Sequence, residues 1–110
     1  MKAKKSGNKF IVRIDRGGEI IETLKQFCRD NYIKPGTVQG IGAANKAVIG
    51  LFDVETKKYH STMNGEVYLH IHANLCDSEN DSLGGHLNSA VVSATFEAII
   101  DEIGLNLYKI

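Results

Sequence analysis

Residues 10–15 alternate Phe10, Val12 and Ile14 with Ile11, Arg13 and Asp15, which predicts a strand with apolar character on both faces. Gly17-Gly18 breaks that pattern. Ile20, Ile21, Leu24, Phe27 and Cys28 then recur at helical spacing, with Glu19 and Glu22 placed early, where the helix dipole favours anions. The pattern predicts one long amphipathic helix near the N-terminus, over 19–31. Lys34-Pro35-Gly36, which holds the single proline, marks its exit turn.

Residues 37–41 and 47–54 read as strands joined through Gly42-Ala43-Ala44-Asn45. Gly40-Ile41-Gly42 lacks the third glycine of a dinucleotide-binding turn, since Asn45 stands there, and no helix follows. These glycines mark a bend or bulge instead. Residues 57–65 are polar and read as a connection. Over 67–75, Val67, Leu69, Ile71, Ala73 and Leu75 alternate with Tyr68, His70, His72 and Asn74, a strand with one apolar face. A polar turn over 77–85 follows. Residues 90–103 fit strand and helix periods alike, and their Val, Thr and Phe content decides for a long strand. Residues 105–110 read as a short final strand after Gly104. The order, one helix followed by a run of strands, predicts an α+β fold with a mainly antiparallel sheet.

The chemistry concentrates in Leu69-His70-Ile71-His72 and Gly84-Gly85-His86, which hold three of the four histidines. Strand residues at i and i+2 share a face, so His70 and His72 project together. A third imidazole on a glycine-flanked turn could close on them. Three neutral imidazoles suit a divalent transition metal, zinc above all, with a fourth position open. The spacing alone fits equally well a solvent-facing strand pair and an unrelated loop histidine. Asp77, Glu79 and Asp81 hint at a calcium loop, but Ser82 stands where glycine is required and Asn88 where the bidentate Glu belongs.

Composition narrows the classes further. Apolar residues make up 43% and charged residues 24% of 110, the usage of an ordinary soluble globular domain. Thirteen basic and thirteen acidic residues cancel, so no overall field draws the chain to nucleic acid or anionic membrane. The N-terminal segment is nonetheless basic: Lys2, Lys4, Lys5, Lys9, Arg13 and Arg16 face only Asp15. Residues 1–9 read as a flexible basic arm on a single domain spanning 1–110. Cys28 and Cys76 form no metal or redox motif and read as buried, reduced thiols. Without an apolar leader or a membrane-length apolar run, the expected location is the cytoplasm.

The Arg13 strand leading to Gly18-Glu19, Gly40-Ile41-Gly42-Ala43, Gly50-Leu51-Phe52-Asp53, Leu69-His70-Ile71-His72 and Gly84-Gly85-His86-Leu87 occur in this order in a known family. In this the chain resembles, over nearly its whole length, the prokaryotic single-domain type of the plants-and-prokaryotes conserved (PPC) domain. The resemblance implies a homotrimer built on an antiparallel sheet with a flanking helix. It also implies a zinc site, as in some members, made here by His70, His72 and His86. Prokaryotic members are often labelled DNA-binding by analogy with plant members that carry AT-hooks; this chain has no Arg-Gly-Arg-Pro core. It also departs from the family between His60 and Gly65. Only Ser61-Thr62-Met63-Asn64 stands there, where a further strand is usual.

Three functions follow as expectations. The first is a small oligomeric metal-binding protein whose open metal position leaves room for a small-molecule ligand. The second is DNA binding through the basic arm, weak and indifferent to sequence. The third is a metal-dependent hydrolase acting on a small molecule. That activity needs a general base, for which Asp77, Glu79 and Asp81 are the nearest sequence candidates, although an acidic turn of this kind ordinarily faces solvent.

Overall fold

A computed structural model describes residues 1–50 and 67–105. Its elements are β1 (Lys2–Ser6), β2 (Lys9–Asp15), α1 (Ile20–Asp30), β3 (Gly36–Gly50), β4 (His72–Cys76) and β5 (Ser82–Glu102). Every strand pair among the described residues is antiparallel. The expected mainly antiparallel sheet with one helix is present.

The 21-residue β5 is the spine of the sheet. β3 runs along one flank of it, from Gly36 opposite Glu102 to Gly50 opposite His86. The other flank is shared: β2 pairs with residues 95–101 and β4 with residues 82–86. Between them, Gly17 donates to the Val92 carbonyl at 2.8 Å and Val92 returns a bond to the Gly18 carbonyl at 2.9 Å. The two strands expected over 37–54 are one strand as far as Gly50. Register shifts at residues 42–44 and 44–46 stand where the glycine-rich bend is expected.

The helix is shorter than expected. It has 11 residues, because Glu19 and Asn31 are its caps rather than its first and last turns. The Glu19 carboxylate accepts from the amides of Ile21 at 2.6 Å and Glu22 at 3.3 Å, partnering donors that the helix start leaves over. At the other end Ile33 donates to the Cys28 carbonyl at 3.0 Å and Tyr32 to that of Arg29 at 3.4 Å. This is a Schellman ending with Tyr32 at its left-handed position, φ 51°. The helix buries Ile20, Ile21, Leu24 and Phe27 against Phe10, Val12 and Ile14 of β2 and Leu87, Ala90, Val92 and Ile100 of β5. Phe10 and Phe27 meet edge to face at 5.7 Å.

The opposite face of the sheet has no helix over it among the described residues. Ile11 and Ile99, register partners on β2 and β5, are exposed there, as is Ile41.

Residues 1–9 are not a flexible arm. Lys2–Ser6 pairs with Arg13–Lys9 through a two-residue Gly7-Asn8 turn, with Gly7 at φ 61° as a II′ hairpin requires. β1 nevertheless stays exposed throughout, and its lysines make it a charged edge. Cys28 is half-buried and free; burial, then the Glu102 carboxylate, push its thiol pKa up. Cys76 is exposed rather than buried. The polar connection over 57–65, the shortened interval after His60 and, past Leu105, the strand expected over 105–110 lie outside the described residues. No helix among the described residues is long and apolar enough to cross a membrane.

Candidate metal centre

β4 begins at His72 rather than at residue 67, yet the alternation predicted through this segment persists. Leu69, Ile71 and Ala73 pack against the core, while His70, His72 and Asn74 are exposed on the other side. Gly84-Gly85-His86 lies within β5 and not on a turn; the turn is confined to residues 77–81. The consequence for His86 is greater precision, since a ladder partner fixes it.

That partner is His72. The Leu87 amide donates to the Ile71 carbonyl at 2.8 Å, which makes His72 and His86 a non-hydrogen-bonded pair. Such pairs bring their Cα atoms to about 4.5 Å, with side chains close together on one face. His70, two residues before His72, joins from the same face. The ring centroids of His70 are 5.1 Å from those of His72 and 5.2 Å from those of His86, and the third separation is 6.1 Å. One ligating nitrogen from each lies within 4.8 Å of the others. A tetrahedral ion with bonds of about 2.0–2.1 Å spaces its ligand nitrogens by roughly 3.3 Å, so modest side-chain rotation closes the set.

His86 is the anchored member, 5% exposed, while His70 and His72 reach it from the surface. Burial first, then the two neighbouring imidazoles, push the His86 pKa below the ordinary histidine value. All three effects favour the neutral ring, the form that binds a metal. Three imidazoles in this spacing therefore fit a divalent transition metal by number and chemistry, and His86 is in addition held toward its neutral form.

The sequence candidates for a general base are held elsewhere. The Asp77 carboxylate accepts from the amides of Glu79 at 2.9 Å and Asp81 at 3.0 Å, tying the β4–β5 turn. Asp77 lies five residues along the chain from His72, about 17 Å in an extended strand. None of Asp77, Glu79 and Asp81 joins the histidine group.

One neighbour escapes a reading by simple alternation. Leu87 pairs with Ile49 and Ser89 with Val48, so Asn88 is an extra residue in β5. Its Nδ2 lies 2.5 Å from where a Cβ on Gly50 would stand, and Gly50 is the β3 partner of His86. Asn88 thus occupies the space beside His86 that the glycine vacates. The sequence signal for it is the change of parity among the apolar positions, from Leu87 to Ala90 and Val92.

Comparisons with known proteins agree on the fold. The family model described as the Plants and Prokaryotes Conserved (PCC) domain matches residues 1–67. The three histidines lie beyond that segment. A candidate DNA-binding protein from Bacteroides thetaiotaomicron is 32% identical in sequence, with 96% of this chain and 85% of that one covered and a TM-score of 0.84. A plant- and prokaryote-conserved protein from Pyrococcus horikoshii is 21% identical, with 91% and 82% covered and a TM-score of 0.73. A metal-containing protein from Archaeoglobus fulgidus is 23% identical, with 88% and 81% covered and a TM-score of 0.68. No curated protein matches the chain by sequence.

Proposed function

The chain belongs to the Plants and Prokaryotes Conserved domain family, and from that premise we propose that it is a small oligomeric protein binding one divalent transition metal per subunit through His70, His72 and His86. The observation that carries this reading is the convergence of three imidazole nitrogens within 4.8 Å, one of them on a buried ring. The all-nitrogen donor set favours zinc or another late first-row ion. A metal-containing structural relative supports it. Such an ion keeps a fourth position for water or a small molecule and supplies Lewis-acid polarisation there. Hydrolysis would need a base other than the acidic turn, so metal binding is the function proposed.

The oligomer we propose is a homotrimer, in the cytoplasm. Its support is the family resemblance together with Ile11, Ile41 and Ile99, exposed on the face opposite α1.

Metal analysis of the purified protein, run beside native mass spectrometry, tests both parts. One metal per chain in the wild type and none in a His70→Ala/His72→Ala variant is expected. Equal stoichiometry in the two removes the assignment.

DNA binding is the second reading, favoured by the description of the Bacteroides thetaiotaomicron relative. Register places Lys2, opposite Arg13, and Lys4, opposite Ile11, on the open face of the sheet. With zero net charge, the contact would be to phosphates, weak and without sequence preference.

A further inference from the structure

The sheet face opposite α1 is charged unevenly. Phe10, Val12 and Ile14 are buried in the core, so Lys9, Ile11 and Arg13 lie on the other face. Lys4 and Lys2 of β1 join them there, opposite Ile11 and Arg13. By register, one row across this face reads Lys4, Ile11, Ile99 and Gln39, and the next reads Lys2, Arg13, Glu97 and Ile41. Ion pairs within the chain take up part of the charge, Lys9 with Asp101 at 3.7 Å and Arg13 with Asp15 at 3.2 Å. Among the described residues, Lys2, Lys4 and Glu97 form no ion pair. The surplus is thus positive along β1 and negative on β5, two strand spacings or roughly 10 Å away.

Glu97 stands in apolar company. Ile41 is its β3 partner and Ile99 lies two residues along the same face, 77% and 46% exposed. Covering these isoleucines also takes the Glu97 carboxylate from water, and a carboxylate so covered needs a cation. A neutral apolar partner leaves it unpaired, and an anionic one meets repulsion there. A second copy of this chain brings the missing charge on its own β1. Because the two surpluses lie on opposite halves of one face, they meet when one half of a subunit rests on the other half of the next. A head-to-tail joint of this kind closes into a ring.

We propose that copies of this chain associate head to tail through the face opposite α1, with Lys2 and Lys4 of one subunit paired with Glu97 of its neighbour. The proposal rests on the oligomer reading and assigns that oligomer its contact.

The test is sedimentation and native mass spectrometry of the full-length protein at micromolar concentration. Glu97→Lys and Lys2→Glu/Lys4→Glu are each expected to weaken association at least about tenfold, since like charges then meet at the joint. The three positions are exposed, so circular dichroism should show both variants folded. Glu97→Gln, which keeps the shape, should weaken association less than Glu97→Lys does. Mixed together, the two reversal variants should form assemblies holding both chains, because each supplies the charge the other lacks. Wild-type-like assembly of both reversal variants overturns the proposal alone, as does a mixture that stays dissociated. Rescue of Glu97→Lys by Lys46→Glu instead also overturns it, since Lys46 is another lysine of this face without an ion pair. A monomeric wild type overturns the oligomer reading, and the proposal with it.

Discussion

His72 and His86 face each other across the β4–β5 ladder, beside the bond from the Leu87 amide to the Ile71 carbonyl at 2.8 Å. The same backbone bond that aligns the imidazoles on one face aligns Ile71 and Leu87 on the other, where both meet the core. Site geometry and core packing are thus two sides of one ladder step.

Metal binding is therefore expected to stabilise the fold. An ion that binds only the folded chain, supplied at about one hundred times its Kd, adds about 2.7 kcal/mol. Thermal unfolding of the wild type should shift upward with zinc concentration, and that of His70→Ala/His72→Ala should not. A zinc-independent wild-type midpoint would show that the histidines do not bind the ion as a set.

The metal-free protein should respond to acid through His86. Its folded pKa is depressed, so as the pH falls the unfolded chain takes up the proton first. Stability associated with the neutral ring is complete above the unfolded value of about 6.5 and is lost as the pH falls from there toward the folded pKa. Unfolding midpoints measured in chelator between about pH 5 and pH 8 should fall toward the acid end, less steeply in His86→Gln than in the wild type. Identical slopes would refute the assignment.

Tyr32 occupies a left-handed position at the end of α1 and is 90% exposed. A tyrosine there carries strain that glycine avoids, and exposure means little packing is lost. Tyr32→Gly is expected to raise stability by about 0.5–1 kcal/mol in urea unfolding, net of the entropy glycine adds to the unfolded chain. A clear loss of stability would mean that the ring makes a contact in the assembled protein.

Leu24 is 1% exposed between α1 and the sheet. Leu24→Ala should cost about 2–5 kcal/mol by transfer and cavity terms, without changing the steepness of the urea transition. A cost under about 1 kcal/mol would mean that the helix packs less tightly on the sheet than the burial of Leu24 implies.

Duplex DNA retention, if carried by the β1 edge, should be indifferent to sequence and fall steeply with added salt. Lys2→Glu/Lys4→Glu is a cleaner probe than removing residues 1–8, because β1 is paired with β2. Tight, sequence-selective binding at physiological salt would favour a regulator instead.

Legibility in the sequence followed how local each determinant is. The spacing of Ile20, Ile21, Leu24 and Phe27 makes α1 readable, and the two residues overestimated are its caps. The i, i+2 relation of His70 and His72 is equally local. Pairing His72 with His86 is not, because it depends on a register between strands joined by a turn. Gly84 and Gly85 disguised the start of β5, since glycine is depleted in strands and ordinarily signals a turn. β1 was hidden because Lys2–Ser6 has almost nothing to bury; it exists through its pairing with β2, and Gly7-Asn8 was its one local sign.

The extra residue at Asn88 divides β5 into two stretches whose inward-facing positions differ in parity, with Leu87 on one side and Ala90 and Val92 on the other. A one-residue slip along β3 would turn every side chain it touches to the wrong face. Because the two stretches are out of step, an uninterrupted ladder that suited the core-forming half would send His86 inward and Leu87 out. Only an alignment with the irregularity in its native place satisfies both. The bulge thus marks one register of β3 against β5 as the one that puts Leu87 in the core and His86 on the opposite face.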